Sequence, residues 1–172
     1  MNVLHFGLDE GSGAKKIWGP HGGLEQPAQA ASAGQTHLTG NVAGLRSQTP
    51  PLRITLDGSA FYVGADAHHW GRPVENLADE RLSGSPETRA LIYATFTRYA
   101  QQYGLPAGPL QLTLGLSQLP LSESQATATL KGVRWLKDTH TWEADGQPYT
   151  LEISGVTTTT QAAGALFDYV LD

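Results

Sequence analysis

Two Asp-Gly dipeptides constrain the fold more than any other feature of the sequence. Asp57-Gly58 lies inside "LRITLDGSAFYVGADA", and Asp145-Gly146 lies inside "HTWEADGQPYTLEI". An Asp-Gly pair between runs of strand-forming residues is a strong signal for a two-residue hairpin turn. Each segment is therefore predicted to form two antiparallel strands.

The segment "SPETRALIYATFTRYAQQYG" is the clearest helix in the chain. Ser85 suits the N-cap, Pro86 suits the first helical position, and Gly104 suits the C-terminal end. Helical spacing places one apolar face on Leu91, Ile92, Thr95, Phe96, Tyr99 and Tyr103. A buried strand, "LQLTLGL", is predicted to follow.

The other segments complete a mixed pattern of strands and helices. Val3 to Leu8 predicts a strand, residues 122 to about 130 predict a helix, and "VTTTTQAAGALFDYVLD" predicts a strand that runs into a helix with Thr160 as N-cap. Gly, Ala, Gln, Ser and Pro dominate residues 20–51, which predicts an irregular insert or loop. The sequence therefore predicts an α/β or α+β domain, a mixed sheet flanked by helices.

Composition restricts the class of protein. A length of 172 residues suits one domain over residues 1–172, and zero cysteines exclude disulfides and thiolate metal sites. The net charge is −5 with scattered basic residues, which argues against direct nucleic-acid binding. No signal peptide or apolar run of about 20 residues is present. We therefore expect a cytoplasmic protein without a membrane partner.

The glycine-rich stretch "GLDEGSGAKKIW", residues 7–18, has two interpretations. It suits an ordinary hairpin turn, which the residues alone favour. It also suits a phosphate loop, because Gly11 and Gly13 allow backbone N–H groups to face an anion and a following lysine can neutralise charge. The stretch is neither a Walker A sequence nor a dinucleotide fingerprint.

Several segments resemble prokaryotic actins of the plasmid-segregation (ParM/StbA) and archaeal types. Asp9, Gly11, Ser12 and Lys16 resemble the Asp-x-Gly-Ser-x-x-x-Lys form of their first phosphate loop. "YVGADA", "LTLGLSQLPLS", "DTHTWEADGQPYTLEISGV" and "QAAGALFDYVLD" follow in the family's order. The resemblance implies the RNase H-like mixed sheet of the actin fold and a filament-forming ATPase.

The resemblance also implies roles for individual residues. Asp9 would place a metal-bound water at Mg²⁺, while Gly11, Ser12, Gly13 and Lys16 would contact the phosphates of ATP. Gln161 lies where the family carries the residue that orients the attacking water. A neutral amide suits that task, since it donates and accepts hydrogen bonds.

The family's second phosphate loop and adenosine-binding segments have no counterpart in the sequence. The resemblance therefore implies the N-terminal half of the two-domain actin fold, with the C-terminal nucleotide-binding half absent and ATPase activity doubtful for this half alone. The expected partners are further copies in a filament, the missing half, or an adaptor protein. The alternative is a non-enzymatic module that binds an actin-like filament or adaptor.

Overall fold

The computed structural model describes residues 3–11, 13–34, 50–74, 83–105, 107–116 and 122–160. The strands are β1 (Leu4–Glu10), β2 (Ala14–Gly19), β3 (Gly22–Pro27), β4 (Ala30–Ser32), β5 (Leu52–Leu56), β6 (Ser59–Val63), β7 (Arg72–Pro73), β8 (Leu110–Leu116), β9 (Thr139–Ala144) and β10 (Gln147–Thr160). The α-helices are α1 (Pro86–Tyr103) and α2 (Glu123–Val133). Short 3₁₀ turns cover Ala67–His69 and Arg134–Leu136. The architecture is the mixed α/β sheet that the sequence predicts.

The first sheet has the strand order β3-β2-β1-β8-β10. Strand β2 runs antiparallel to its neighbours β1 and β3, whereas β1, β8 and β10 run parallel to one another. The carboxyl ends of the three parallel strands therefore meet at one edge of the sheet. Ligands in open α/β sheets bind at such an edge.

The second sheet contains β9, β5, β6, β4 and β7, and the long strand β10 joins it to the first. Residues 147–152 of β10 pair with β9, and residues 153–160 pair with β8, with an irregularity between Ile153 and Gly155. The sequence predicts the β9–β10 hairpin and a later strand as separate elements. That separation is wrong, because the chain changes partner strand without leaving the extended conformation.

Both Asp-Gly hairpins are confirmed. Asp57 and Gly58 have φ angles of 48° and 77°, and Asp145 and Gly146 have φ angles of 50° and 79°. Two successive positive φ angles are what a type I′ hairpin turn requires, because this turn matches the twist of the strands on either side.

The prediction for residues 20–51 needs correction. Strands β3 and β4 occupy its first part, whereas residues 35–49 lie outside the described residues. Strand β3 gains its backbone partners from β2, from Ala14 opposite Pro27 to Gly19 opposite Gly22. Pairing with the preceding strand across the two-residue turn Pro20-His21 has therefore overridden a glycine-rich local composition. The predicted helix after Thr160 also lies outside the described residues.

Helix α1 has the predicted boundaries and lies against both sheets. Ser85 Oγ accepts a hydrogen bond from the Thr88 amide at 3.3 Å, and Gly104 donates its N–H to the Ala100 carbonyl. The helix contacts β2 and β3 of the first sheet and β5 and β6 of the second. Residues 90–97 are all buried, so the sequence underestimates the buried surface of this helix by predicting one apolar face.

The N-cap of α1 gives a first prediction. Replacing Ser85 with alanine leaves the Thr88 amide without its capping oxygen, so the free energy of unfolding should fall by about 1 kcal/mol. Chemical denaturation measures the change. Ser85→Asp should retain most of the stability, because aspartate is also a good N-cap. Equal losses in both variants would contradict the capping role.

A chain of polar side chains connects α1 to the second sheet. Arg89 forms an ion pair with Asp57 and donates Nε–H to Tyr93 Oη at 3.2 Å. His140 Nε2 donates to the Leu136 carbonyl at 2.8 Å, so its Nδ1 accepts the Tyr93 hydroxyl proton at 3.0 Å. A neutral imidazole protonated at Nε2 satisfies both contacts. Burial lowers the pKa of His140 below its ordinary value of 6.5, against a smaller raising effect of the Leu136 hydrogen bond.

Stability should consequently depend on the titration of His140. The unfolded chain takes up a proton at this histidine near pH 6.5, whereas the folded chain resists it until a lower pH. The contribution is complete above pH 6.5 and is lost as the pH falls from there through the folded-state pKa. Urea denaturation at pH 7.5 and pH 5.5 measures this. His140→Gln should show a smaller difference, and an equal one would contradict the assignment.

Candidate phosphate-binding site

The β1–β2 hairpin places two predicted site residues on the same face of the first sheet. Asp9 on β1 lies opposite Lys16 on β2 in the antiparallel register. Asp9 is half-buried, whereas Lys16 is exposed and its Nζ lies 3.9 Å from Glu25 Oε2. An exposed ion pair of this length contributes at most about 1 kcal/mol. Lys16 is therefore able to turn toward an anion at little cost.

The glycine loop (residues 11–13) connects these strands at the carboxyl edge of β1. A Cβ atom on Gly11 would lie 2.5 Å from the Ala14 carbonyl oxygen, so no larger residue fits without a backbone shift. The carbonyl of Gly13 accepts a hydrogen bond from the Ala28 amide at 3.0 Å. The Gly13 end of the loop is thus attached to Ala28, the residue that follows β3. Ser12 lies outside the described residues.

A buried ion pair lies directly behind the glycine loop. Lys15 Nζ is 2.5 Å from Glu10 Oε2, and each side chain is only 3% exposed. The same Nζ lies 3.4 Å from the Gly11 carbonyl oxygen. Strand alternation places this pair on the face opposite Asp9 and Lys16, toward the core.

The register of the three parallel strands aligns three residues at the carboxyl edge. Asp9 of β1 lies beside Gly115 of β8, and Gly115 lies beside Thr159 of β10. At a strand spacing of about 4.8 Å, Asp9 and Thr159 stand about 10 Å apart. The glycine between them has no side chain, so a carboxylate and a hydroxyl flank a position without a side chain.

The structure brings together part of the predicted site. Asp9, Gly11, Gly13 and Lys16 lie around one end of the β1–β2 hairpin. Gln161 lies outside the described residues and follows Thr160, the last residue of β10. Sequence reasoning missed Thr159, although it immediately precedes the predicted N-cap. It also missed the pair of Glu10 and Lys15. The alternation of side chains between the two faces of a strand was the available signal, because it places both residues on the core face.

Within the part of the chain that the structure describes, no three His, Asp or Glu side chains are arranged to hold a metal ion. Trp142 is buried and stacks between Tyr93 and Tyr149, with ring-centroid distances of 4.6 and 5.6 Å. Trp135 packs against the core. No helix among the described residues is long and apolar enough to cross a membrane.

Comparison with solved structures establishes the fold. The apo psk41 ParM protein matches 98% of this chain and 52% of its own, with a TM-score of 0.70 and 16% identity. The AlfA filament from the B. subtilis plasmid pLS32 matches 96% of this chain and 58% of its own, with a TM-score of 0.67 and 14% identity. An archaeal actin homolog in complex with ADP matches 98% and 47%, with a TM-score of 0.63 and 20% identity.

The chain thus spans about half the length of these solved structures. No curated protein gives a significant match to the sequence. The profile of the family described as "Actin like proteins N terminal domain" matches residues 7–164, nearly the whole chain. The protein therefore belongs to the actin-like proteins, and its sequence corresponds to their N-terminal domain.

Proposed function

We propose that this chain is the N-terminal, phosphate-binding half of a filament-forming actin-like ATPase. One observation carries the proposal: the glycine loop lies at the carboxyl edge of the parallel strands with Asp9 and Lys16 on one face. The solved archaeal relative that contains ADP supports a nucleotide as the ligand.

The residues fit a magnesium nucleotide in their chemistry. Mg²⁺ prefers oxygen ligands and keeps several of its waters, so one carboxylate suits it. Asp9 is the carboxylate at this edge, and Gly115 beside it has no side chain. Lys16 and the backbone amides of the glycine loop supply positive charge and N–H donors, which phosphates require.

The family resemblance assigns the individual roles, and this chemistry is compatible with them. Asp9 would hold the water shell of Mg²⁺, which would neutralise phosphate charge, and Lys16 would compensate the remaining negative charge. Gly11, Ser12 and Gly13 would contact the β- and γ-phosphates through the backbone and the serine hydroxyl. Gln161, which follows β10 in the sequence, would orient the attacking water through its amide group.

These residues supply only one side of a nucleotide-binding site. The chain spans about half of its solved relatives, so we assign the adenosine contacts and the opposite phosphate loop to the other half of the actin fold. Self-association is the second part of the proposal, and the solved AlfA filament supports it.

Calorimetric titration of Mg-ATP into this chain tests the proposal, with Asp9→Ala as the site variant and Asp66→Ala as the matched control. Asp66 is an exposed aspartate in the connection after β6, on the second sheet's side of the molecule. We expect binding by the wild type and the Asp66→Ala variant, and at least a tenfold loss in Asp9→Ala.

Two outcomes would contradict the proposal. Equal binding by the Asp9→Ala variant would remove the nucleotide from this edge of the sheet. If titration of Mg-ATP into the folded wild-type chain gives no heat of binding, the ATPase assignment for these residues fails. The non-enzymatic module that binds a filament or adaptor would then become the better assignment.

A further inference from the structure

The buried ion pair of Lys15 and Glu10, behind the glycine loop, has a role other than contacting phosphate. Lys15 and Glu10 are the residues of the hairpin nearest the loop on the core side, and they face each other across β1 and β2. Their charged atoms are 2.5 Å apart at 3% exposure. An ion pair in this position costs desolvation energy, and apolar residues of similar size often stabilise a hairpin equally well.

Lys15 makes a second contact, and this contact connects its charge to the glycine loop. Its ammonium group also lies 3.4 Å from the carbonyl oxygen of Gly11, the first residue of the glycine loop. Glycine has a wide range of backbone conformations, so a loop with two glycines does not hold one shape by itself. A donor at the Gly11 carbonyl restricts the peptide plane at which the loop begins. The Ala28 amide holds the Gly13 carbonyl at the other end.

We infer that Lys15 is a positioning residue for the phosphate loop: Glu10 fixes its ammonium group, and that group holds the Gly11 carbonyl so that the loop is ordered before phosphate arrives. Lys15 itself does not touch the ligand, because it lies on the opposite face from Asp9 and Lys16. The phosphate ligand rests on the proposed function, whereas the ordering of the loop does not. Pre-ordering a binding loop raises affinity by lowering the entropy cost of binding.

The test separates the order of the loop from the stability of the fold. In the double variant Glu10→Leu/Lys15→Met, apolar groups replace both charges, so no buried charge is left alone. Relaxation measurements on ¹⁵N-labelled protein give the backbone order parameters of Gly11 and Gly13. We expect about 0.85 in the wild type and below about 0.6 in the double variant, with unchanged values in β8.

Lys16→Met is the matched control, because it removes the adjacent lysine from the opposite face. It should leave the order parameters of Gly11 and Gly13 unchanged. Mg-ATP affinity should fall at least tenfold in the double variant at unchanged thermal midpoint, a loss that a purely structural ion pair does not predict.

The outcomes are distinct. Wild-type order parameters in the double variant would overturn the inference, as would unchanged affinity in a chain that binds Mg-ATP. If the wild-type chain does not bind Mg-ATP, the proposed function fails, and the order parameters alone still decide whether Lys15 positions the loop.

Discussion

Phe96→Ala is expected to lower the free energy of unfolding by about 4 kcal/mol. Phe96 is fully buried in the middle of α1, and its ring centroid lies 6.1 Å from that of Phe6 on β1. Truncating a buried phenylalanine loses the burial of the ring and leaves a cavity between helix and sheet, which typically costs about 3–5 kcal/mol. Denaturant unfolding followed by circular dichroism measures the change.

A second aromatic residue provides the control for this prediction. Trp18 is 67% exposed on β2, so Trp18→Ala should change stability by only about 0.5 kcal/mol. Equal losses in the two variants would mean that α1 does not cover the first sheet as described.

Lys15→Met is expected to cost about 3–5 kcal/mol, because it leaves the carboxylate of Glu10 buried without its cation. The double variant Glu10→Leu/Lys15→Met should recover most of that loss, since it buries no lone charge. Equilibrium denaturation of the wild type, both single variants and the double variant gives the coupling energy between the two residues.

Lys16→Met supplies the matched control. It should cost little, because Lys16 and Glu25 are 59% and 60% exposed. A loss under about 1 kcal/mol for Lys15→Met at pH 7.5 would contradict the buried pair.

The sequence predicts the parts of the fold that local chemistry determines. The Asp-Gly turns require positive φ angles, and α1 carries its own N-cap and terminal glycine, so both were predictable. Residues 153–160 of β10 depend on β8, a partner far away in the chain. The change of partner within β10 therefore has no local signal. Strand β3 pairs with β2 across a two-residue turn at Pro20-His21, and it was missed because glycine and proline in this segment indicate a loop.

The residues of the candidate site also divide into those that the local sequence predicts and those that it does not. Asp9 and Lys16 were predictable from the glycine loop and the family resemblance, and the register places them on one face. Thr159 was missed, because its position beside Gly115 depends on the register of two parallel strands distant in sequence. Lys15 was missed although strand alternation places it on the same face of β2 as the buried Ile17, because lysine is rarely a core residue.

The most direct test of the central claim is to map where a nucleotide contacts the chain. Mg-ADP is added to ¹⁵N-labelled protein, and amide chemical shifts are followed by NMR. The account predicts the largest changes at Gly11, Gly13, Gly115 and Thr159, and none at the Asp57-Gly58 turn. Changes confined to the second sheet, or none at saturating Mg-ADP, would show that the glycine loop is an ordinary hairpin turn.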